Sequence, residues 1–126
     1  MSSHPSLPID AYLQDALSKL QANGQLVLEA EPGAGKTTRF PIALLDANLT
    51  EDLIIVVQPR RIAARMVAHY LADTLGEPVG ETIGYQVRFE KRLGPKTRVL
   101  FMTEGMLLRR MQGDPKLQGV GAVIVD

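Results

Sequence analysis

Two hydrophobic rhythms alternate along this chain. From Pro8 the apolar spacing is three and four: Ile9, Tyr12, Leu13, Ala16, Leu17 and Leu20 predict an amphipathic packing helix that stops at Asn23-Gly24. Leu26-Val27-Leu28 is a continuous apolar run and predicts a buried strand over 25–30. A small, Gly-rich stretch follows, then a helix over 36–48 with Pro41 in its first turns. Leu53-Ile54-Ile55-Val56-Val57 is apolar throughout, as in a parallel strand covered on both faces. Ile62, Ala63, Met66, Val67, Tyr70 and Leu71 predict the buried stripe of a further helix ending near Gly76, which puts Tyr70 in the core. Residues 82–89 partly alternate and read as a strand, and 98–102 as another. Thr103 then opens a helix through Met106, Leu107 and Met111, which Gly113-Asp114-Pro115 ends. The last apolar run, 120–126, is a buried strand that delivers Asp126 at its carboxyl end. Strands alternating with helices predict an α/β fold with a parallel sheet flanked by helices.

Composition narrows the class. A length of 126 residues allows one domain, and 45% hydrophobic with 22% charged residues is ordinary for a globular protein. The formal net charge is zero, so any site for nucleic acid must be local. Cysteine is absent, which excludes disulfides and thiolate metal sites and fits a reducing compartment. No apolar run is long enough for a membrane span, and the first residues lack the basic-then-apolar order of a signal peptide. A cytoplasmic protein with a loose N-terminus over 1–8 is the expectation.

The chemistry starts where the first strand ends. Gly33-Ala34-Gly35-Lys36-Thr37-Thr38 lies between a strand and a helix, the setting of a phosphate-binding P-loop. Glycines let backbone N–H groups approach phosphates, and the helix N-terminus adds a favourable dipole. In such a loop Lys36 reaches the β- and γ-phosphates and the Thr37 hydroxyl ligates Mg²⁺. The strict pattern wants glycine five positions before Gly35, where Ala30 stands.

Two basic features admit two readings each. Arg60 and Arg61 enter a helix at the carboxyl end of a strand, the edge where open α/β sheets bind ligands. They clamp a phosphate backbone or are simply solvated. Further on, Arg88, Lys91, Arg92, Lys96 and Arg98 stand against Glu90 alone, a local charge of +4 around a Gly94-Pro95 turn. That segment is a solvated hairpin tip or a phosphate contact. We expect it to share one side of the sheet edge with Arg60 and Arg61.

These pieces resemble the DEAH-box helicases of superfamily 2. Gly33 to Thr38 resembles motif I, Gln58-Pro59-Arg60-Arg61-Ile62-Ala63-Ala64 motif Ia, and Gly84-Tyr85-Gln86-Val87-Arg88-Phe89-Glu90 the hook-shaped turn that touches RNA. Thr103-Glu104-Gly105-Met106-Leu107 is similar to motif Ib, and Val123-Ile124-Val125-Asp126 to the opening of motif II. Order and spacing agree over nearly the whole chain, and 29–41 and 114–126 look most like the bacterial HrpB-type members.

The resemblance implies a P-loop NTPase with two RecA-like domains, of which 9–126 is the first, incomplete and ending at the motif II Asp. It implies ATP and Mg²⁺ as cofactors, held by Gly33, Ala34, Gly35, Lys36, Thr37 and Thr38. Thr37 and Asp126 serve the metal, and Lys36 and Asp126 are the catalytic pair. Arg60, Arg61, Arg88 and Thr103 face a single strand of RNA or DNA, and the second RecA-like domain is a partner. The catalytic Glu and an arginine finger belong to the remainder of a longer protein. Many relatives place an adenine-stacking Arg where Tyr70 falls. The resemblance also puts a strand carrying motif III between 26–30 and 123–126, which leaves an empty slot here and an unstable chain. A small P-loop kinase and a non-catalytic nucleotide switch are the alternatives.

Overall fold

The computed structural model describes residues 8–29, 36–47 and 50–125, with side chains from Leu13 onward and, after the P-loop, from Thr38. Residues 1–7 of the segment expected to be loose, Gly33, Ala34, Gly35 and Asp126 lie outside the described residues, while Pro8, the last residue of that segment, begins a helix. Of Lys36 and Thr37 only the helical backbone is described.

Ten elements follow one another, nine of them as the two rhythms predict. The ten are α1 (Pro8–Ala22), β1 (Leu26–Glu29), α2 (Lys36–Asp46), β2 (Leu53–Gln58), α3 (Arg61–Thr74), β3 (Ile83–Val87), β4 (Glu90–Arg92), β5 (Val99–Thr103), α4 (Glu104–Gly113) and β6 (Val120–Val125). The short strand β4 is not among the expected elements. Gly24, at φ +86°, closes α1 as its sequence position predicts.

The strands form one six-stranded sheet in the order β1-β6-β2-β5-β3-β4. All neighbours are parallel except β3 and β4, an antiparallel hairpin at one edge. Alternation along β2 splits the core in two. Ile54 and Val56 join Phe101, Ile124, Tyr85 and the α3 alanines on one face. Ile55 and Val57 join Leu100, Met102 and Val123 beneath α1 and α4 on the other. The molecule is therefore three-layered, with α2 and α3 on one side of the sheet and α1 and α4 on the other.

Three expectations are corrected. The first is the empty slot: β1 pairs directly with β6, Leu26 opposite Ala122 and Glu29 opposite Val125. Backbone N–H and C=O groups left without partners are costly, and two parallel ladders that face each other close the gap. The two ladders whose open edges implied an unstable chain are thus paired with each other. Second, β1 is a sheet edge and not a buried strand: Leu26 and Glu29 are exposed and only Val27 and Leu28 are half-buried. Gln25 anchors that edge, its side-chain nitrogen donating to the carbonyls of Lys116, Leu117 and Val120 at 2.9, 3.1 and 2.9 Å.

Third, the buried face of α3 is only partly the predicted stripe: Leu71 is buried and Val67 packs against the core as expected, but the other half of the stripe faces outward. Ile62, Met66 and Tyr70 are 68%, 65% and 63% exposed, whereas Ala64, Ala68, Leu71 and Ala72 are buried. At about 100° per residue, the Ala64-Ala68-Ala72 row lies about 200° around the helix from Ile62-Met66-Tyr70. The small row allows α3 to lie close against Tyr85, Val99 and Phe101. Size of side chain pointed to the wrong face, and Tyr70 is at the surface.

Candidate nucleotide and nucleic-acid site

Parallel strands end at a common edge, and the carboxyl ends of β1, β2, β5 and β6 share one. The α2 helix starts there after the P-loop residues, and its first turn carries no acidic side chain. The α3 helix starts there too, with Arg60 as its N-cap at φ −133°, no side-chain cap and no acid in the first turn. Beside it α4 starts from Thr103, whose hydroxyl likewise makes no cap bond, although here Glu104 stands in the first turn. Uncapped N–H groups and the positive end of the helix dipole favour anions.

Between α3 and α4 the edge holds a cavity of about 380 Å³ lined by Pro59, Arg61, Arg88, Thr103, Met106 and Arg109, with Gly105. Three of the residues picked from sequence, Arg61, Arg88 and Thr103, thus meet in one place. The pairing of β2 with β5, Gln58 opposite Thr103, sets Arg61 and Thr103 side by side. Arg88 arrives from the β3–β4 turn. Arg60 does not line this cavity; it lines a neighbouring one of about 710 Å³ on the exposed side of α3, with Arg61, Ile62, Ala63, Arg65 and Met66.

Sequence reading missed Arg109. The signal was available, because Arg109 lies six residues beyond Thr103, but helix rotation decides whether such a residue reaches the cavity. Gln58 was also not singled out: it is the buried polar residue at this edge, 3% exposed, and its side-chain nitrogen has no partner among the described residues.

The basic segment divides. β4 runs antiparallel to β3 and so returns the chain to the opposite edge of the sheet. Lys96 and Arg98 precede the start of β5 at that far edge, and Arg98 Nη2 donates to the carbonyl of Thr50 at 2.8 Å. The expectation that the whole 88–96 segment joins Arg60 and Arg61 is corrected to Arg88 alone within this cavity.

Hairpin and helix are tied together. Arg65 Nε stands 3.3 Å from Glu90 Oε1, Tyr85 Oη donates to Glu90 Oε2 at 2.6 Å, and the His69 ring lies 5.8 Å from that of Tyr85. The bond from Tyr85 holds the Glu90 carboxyl below its usual range, and burial pushes the Tyr85 phenol up. Gly84 permits the hairpin: a Cβ there would meet the Arg92 carbonyl at 2.5 Å.

A second cleft, also about 380 Å³, separates α2 from α3, with Thr38, Arg39, Ile42 and Ala43 on one wall and Tyr70 and Thr74 on the other. Thr38 closes the P-loop motif, so the exposed Tyr70 ring stands across a cleft from that helix.

A family model described as DEAD/DEAH box helicase matches residues 11–126. The chain belongs to the DEAD/DEAH box helicases. Within that family it is 46% identical over 121 residues to the ATP-dependent RNA helicase HrpB of Escherichia coli, covering 96% of this chain and 15% of that protein. It is 42% identical over 132 residues to the ATP-dependent RNA helicase DHX30 of Gallus gallus, covering 98% of this chain and 10% of that one. A crystal structure of E. coli DExH-box NTPase HrpB superposes with a TM-score of 0.73 at 44% identity, covering 100% of this chain and 16% of that one. The chain therefore spans a small part of the length of these helicases. The expected P-loop, RecA-like α/β fold is borne out by this match. Among the described residues no helix is long and apolar enough to cross a membrane.

Proposed function

We propose that residues 9–126 belong to the first RecA-like domain of an ATP-dependent DEAH-type helicase. The observation that carries the reading is the shared sheet edge. It places the start of the P-loop helix and the arginine-lined cavity between α3 and α4 on one side of the molecule. ATP sits with its phosphates on Gly33, Ala34, Gly35, Lys36, Thr37 and Thr38. Lys36 pairs with the β- and γ-phosphates, and the acid-free first turn of α2 suits that charge.

The donor set fits Mg²⁺, a hard cation that takes oxygen ligands: Thr37 offers a hydroxyl and Asp126 a carboxylate. Thr37 and Asp126 would hold the ion, which would supply charge neutralisation at the phosphates. Tyr70, exposed across the cleft from Thr38, offers a ring for the adenine where many relatives carry Arg. Arg60, Arg61, Arg88 and Thr103 take backbone phosphates of a single strand, and Arg109 joins them. Contacts of this kind give affinity without sequence preference.

In the full-length protein, ATP hydrolysis is coupled to strand unwinding or remodelling, with the second RecA-like domain completing the nucleotide site. The relatives are named RNA helicases, which favours RNA over DNA. A cysteine-free chain suits the cytoplasm. The direct β1–β6 pairing is the observation that favours a small P-loop kinase instead. A kinase needs a lid over the phosphates, and residues 83–92 form a sheet-edge hairpin. ATP turnover by the full-length protein, with and without single-stranded RNA, tests the proposal. Stimulation by RNA is the expected result. Turnover indifferent to nucleic acid refutes it.

A further inference from the structure

The tip of the β3–β4 hairpin carries an aromatic ring in an unusual setting. Two residues, Arg88 and Phe89, connect Val87 to its paired partner Glu90. Phe89 is 87% exposed and has φ +71°, a left-handed conformation that turns at this position normally give to glycine. A bulky residue held there in solvent costs both strain and exposed apolar surface, and such outliers point to use. The Arg88 guanidinium lies 4.9 Å from the Phe89 ring centroid, over one face.

Arg88 also lines the cavity shared by Arg61, Thr103 and Arg109, so ring and phosphate-binding charge are contiguous. The hairpin beneath is braced by Tyr85, Glu90 and Arg65. The ring is thus presented on a pinned support, which lowers the ordering cost of a stack.

We propose that Phe89 is a base-stacking residue. One face of its ring is covered by Arg88, and the other receives an unpaired nucleobase of the strand whose phosphates lie in the arginine-lined cavity. This rests on the nucleic-acid reading above. The stack is indifferent to base identity because every base has a π-face, and it rejects duplex because paired bases are already stacked.

The experiment uses the full-length protein and two single strands of equal phosphate count, an oligouridylate and its abasic counterpart. Wild type binds the base-bearing strand more tightly. Phe89→Leu keeps apolar bulk without the ring; it loses about 5- to 140-fold on the oligouridylate and nothing on the abasic strand. Its salt dependence stays that of wild type, because no charge has been removed. Phe89→Trp restores the preference. Equal loss on both strands would show that Phe89 packs against protein and would overturn the proposal, as would no loss on either. If wild type binds neither strand at any salt, the nucleic-acid reading beneath it fails as well.

Discussion

Tyr85 and Glu90, five residues apart across a tight hairpin, are joined by a 2.6 Å hydrogen bond from phenol to carboxylate. The pair makes the hairpin pH-sensitive at both ends of the scale. Glu90 titrates below its ordinary 4.5 because Tyr85 stabilises its ionised form, with Arg65 adding attraction. A depressed carboxyl contributes stability that is present above the unfolded value and lost as pH falls through the folded one. Tyr85 titrates above its ordinary 10.0, first through burial and then through Glu90. Its neutral form is the folded one, so that contribution is present below 10.0 and lost as pH rises through the raised value. Protection of the 83–92 amides in the full-length protein, relative to the intrinsic exchange rate at each pH, should therefore fall below about pH 4.5 and above about pH 10. In Tyr85→Phe the acid limb should shrink, because Glu90 returns toward its ordinary value. An unchanged acid limb would refute the coupling.

Arg61, Arg88 and Arg109 should each contribute one phosphate contact. Replacing any of them with Gln should weaken binding of single-stranded RNA and flatten the log-affinity against log-salt slope by roughly 0.7. Arg98→Gln, at the opposite edge, should leave that slope unchanged. Equal effects from Arg98 and Arg109 would show that the cavity is not the strand's path.

Lys36→Ala should abolish binding of a fluorescent ATP analogue by the full-length protein. Affinity equal to wild type would remove the P-loop assignment. Tyr70→Ala should weaken the same analogue by about 1–3 kcal/mol, the worth of a base–aromatic stack, while Tyr70→Phe should not. Inorganic triphosphate, which has no base, should bind Tyr70→Ala as it binds wild type.

The two rows of α3 should respond oppositely. Ala68→Leu forces a larger side chain between helix and sheet and should cost about 1–3 kcal/mol. Met66→Ala, on the exposed row, should fall within about 0.5 kcal/mol of wild type. Urea unfolding of both variants separates these faces, and a larger loss for Met66→Ala would restore the predicted stripe.

The sequence by itself determined every helix and every strand but β4, because period and turn residues are local properties, whereas three polar residues form a strand only against a partner. It marked β2 as covered on both faces, since apolar residues at every position suit only a strand with a core on each side. It placed the P-loop, Arg60 and Arg61 as candidates where a strand gives way to a turn or a helix, and Arg88 by its clustered charge, while Thr103 entered through the resemblance to motif Ib. Only the tertiary structure decided that β1 sits at an edge against β6, for strand order is a choice among non-local pairings that no local pattern encodes. It turned the alanine row of α3 inward and left Tyr70 beside the α2 cleft, because close approach to the sheet rewards small side chains over large ones. It added Arg109 and sent Lys96 and Arg98 to the far edge, because an antiparallel return at β4 reverses the chain between residues that look contiguous in sequence.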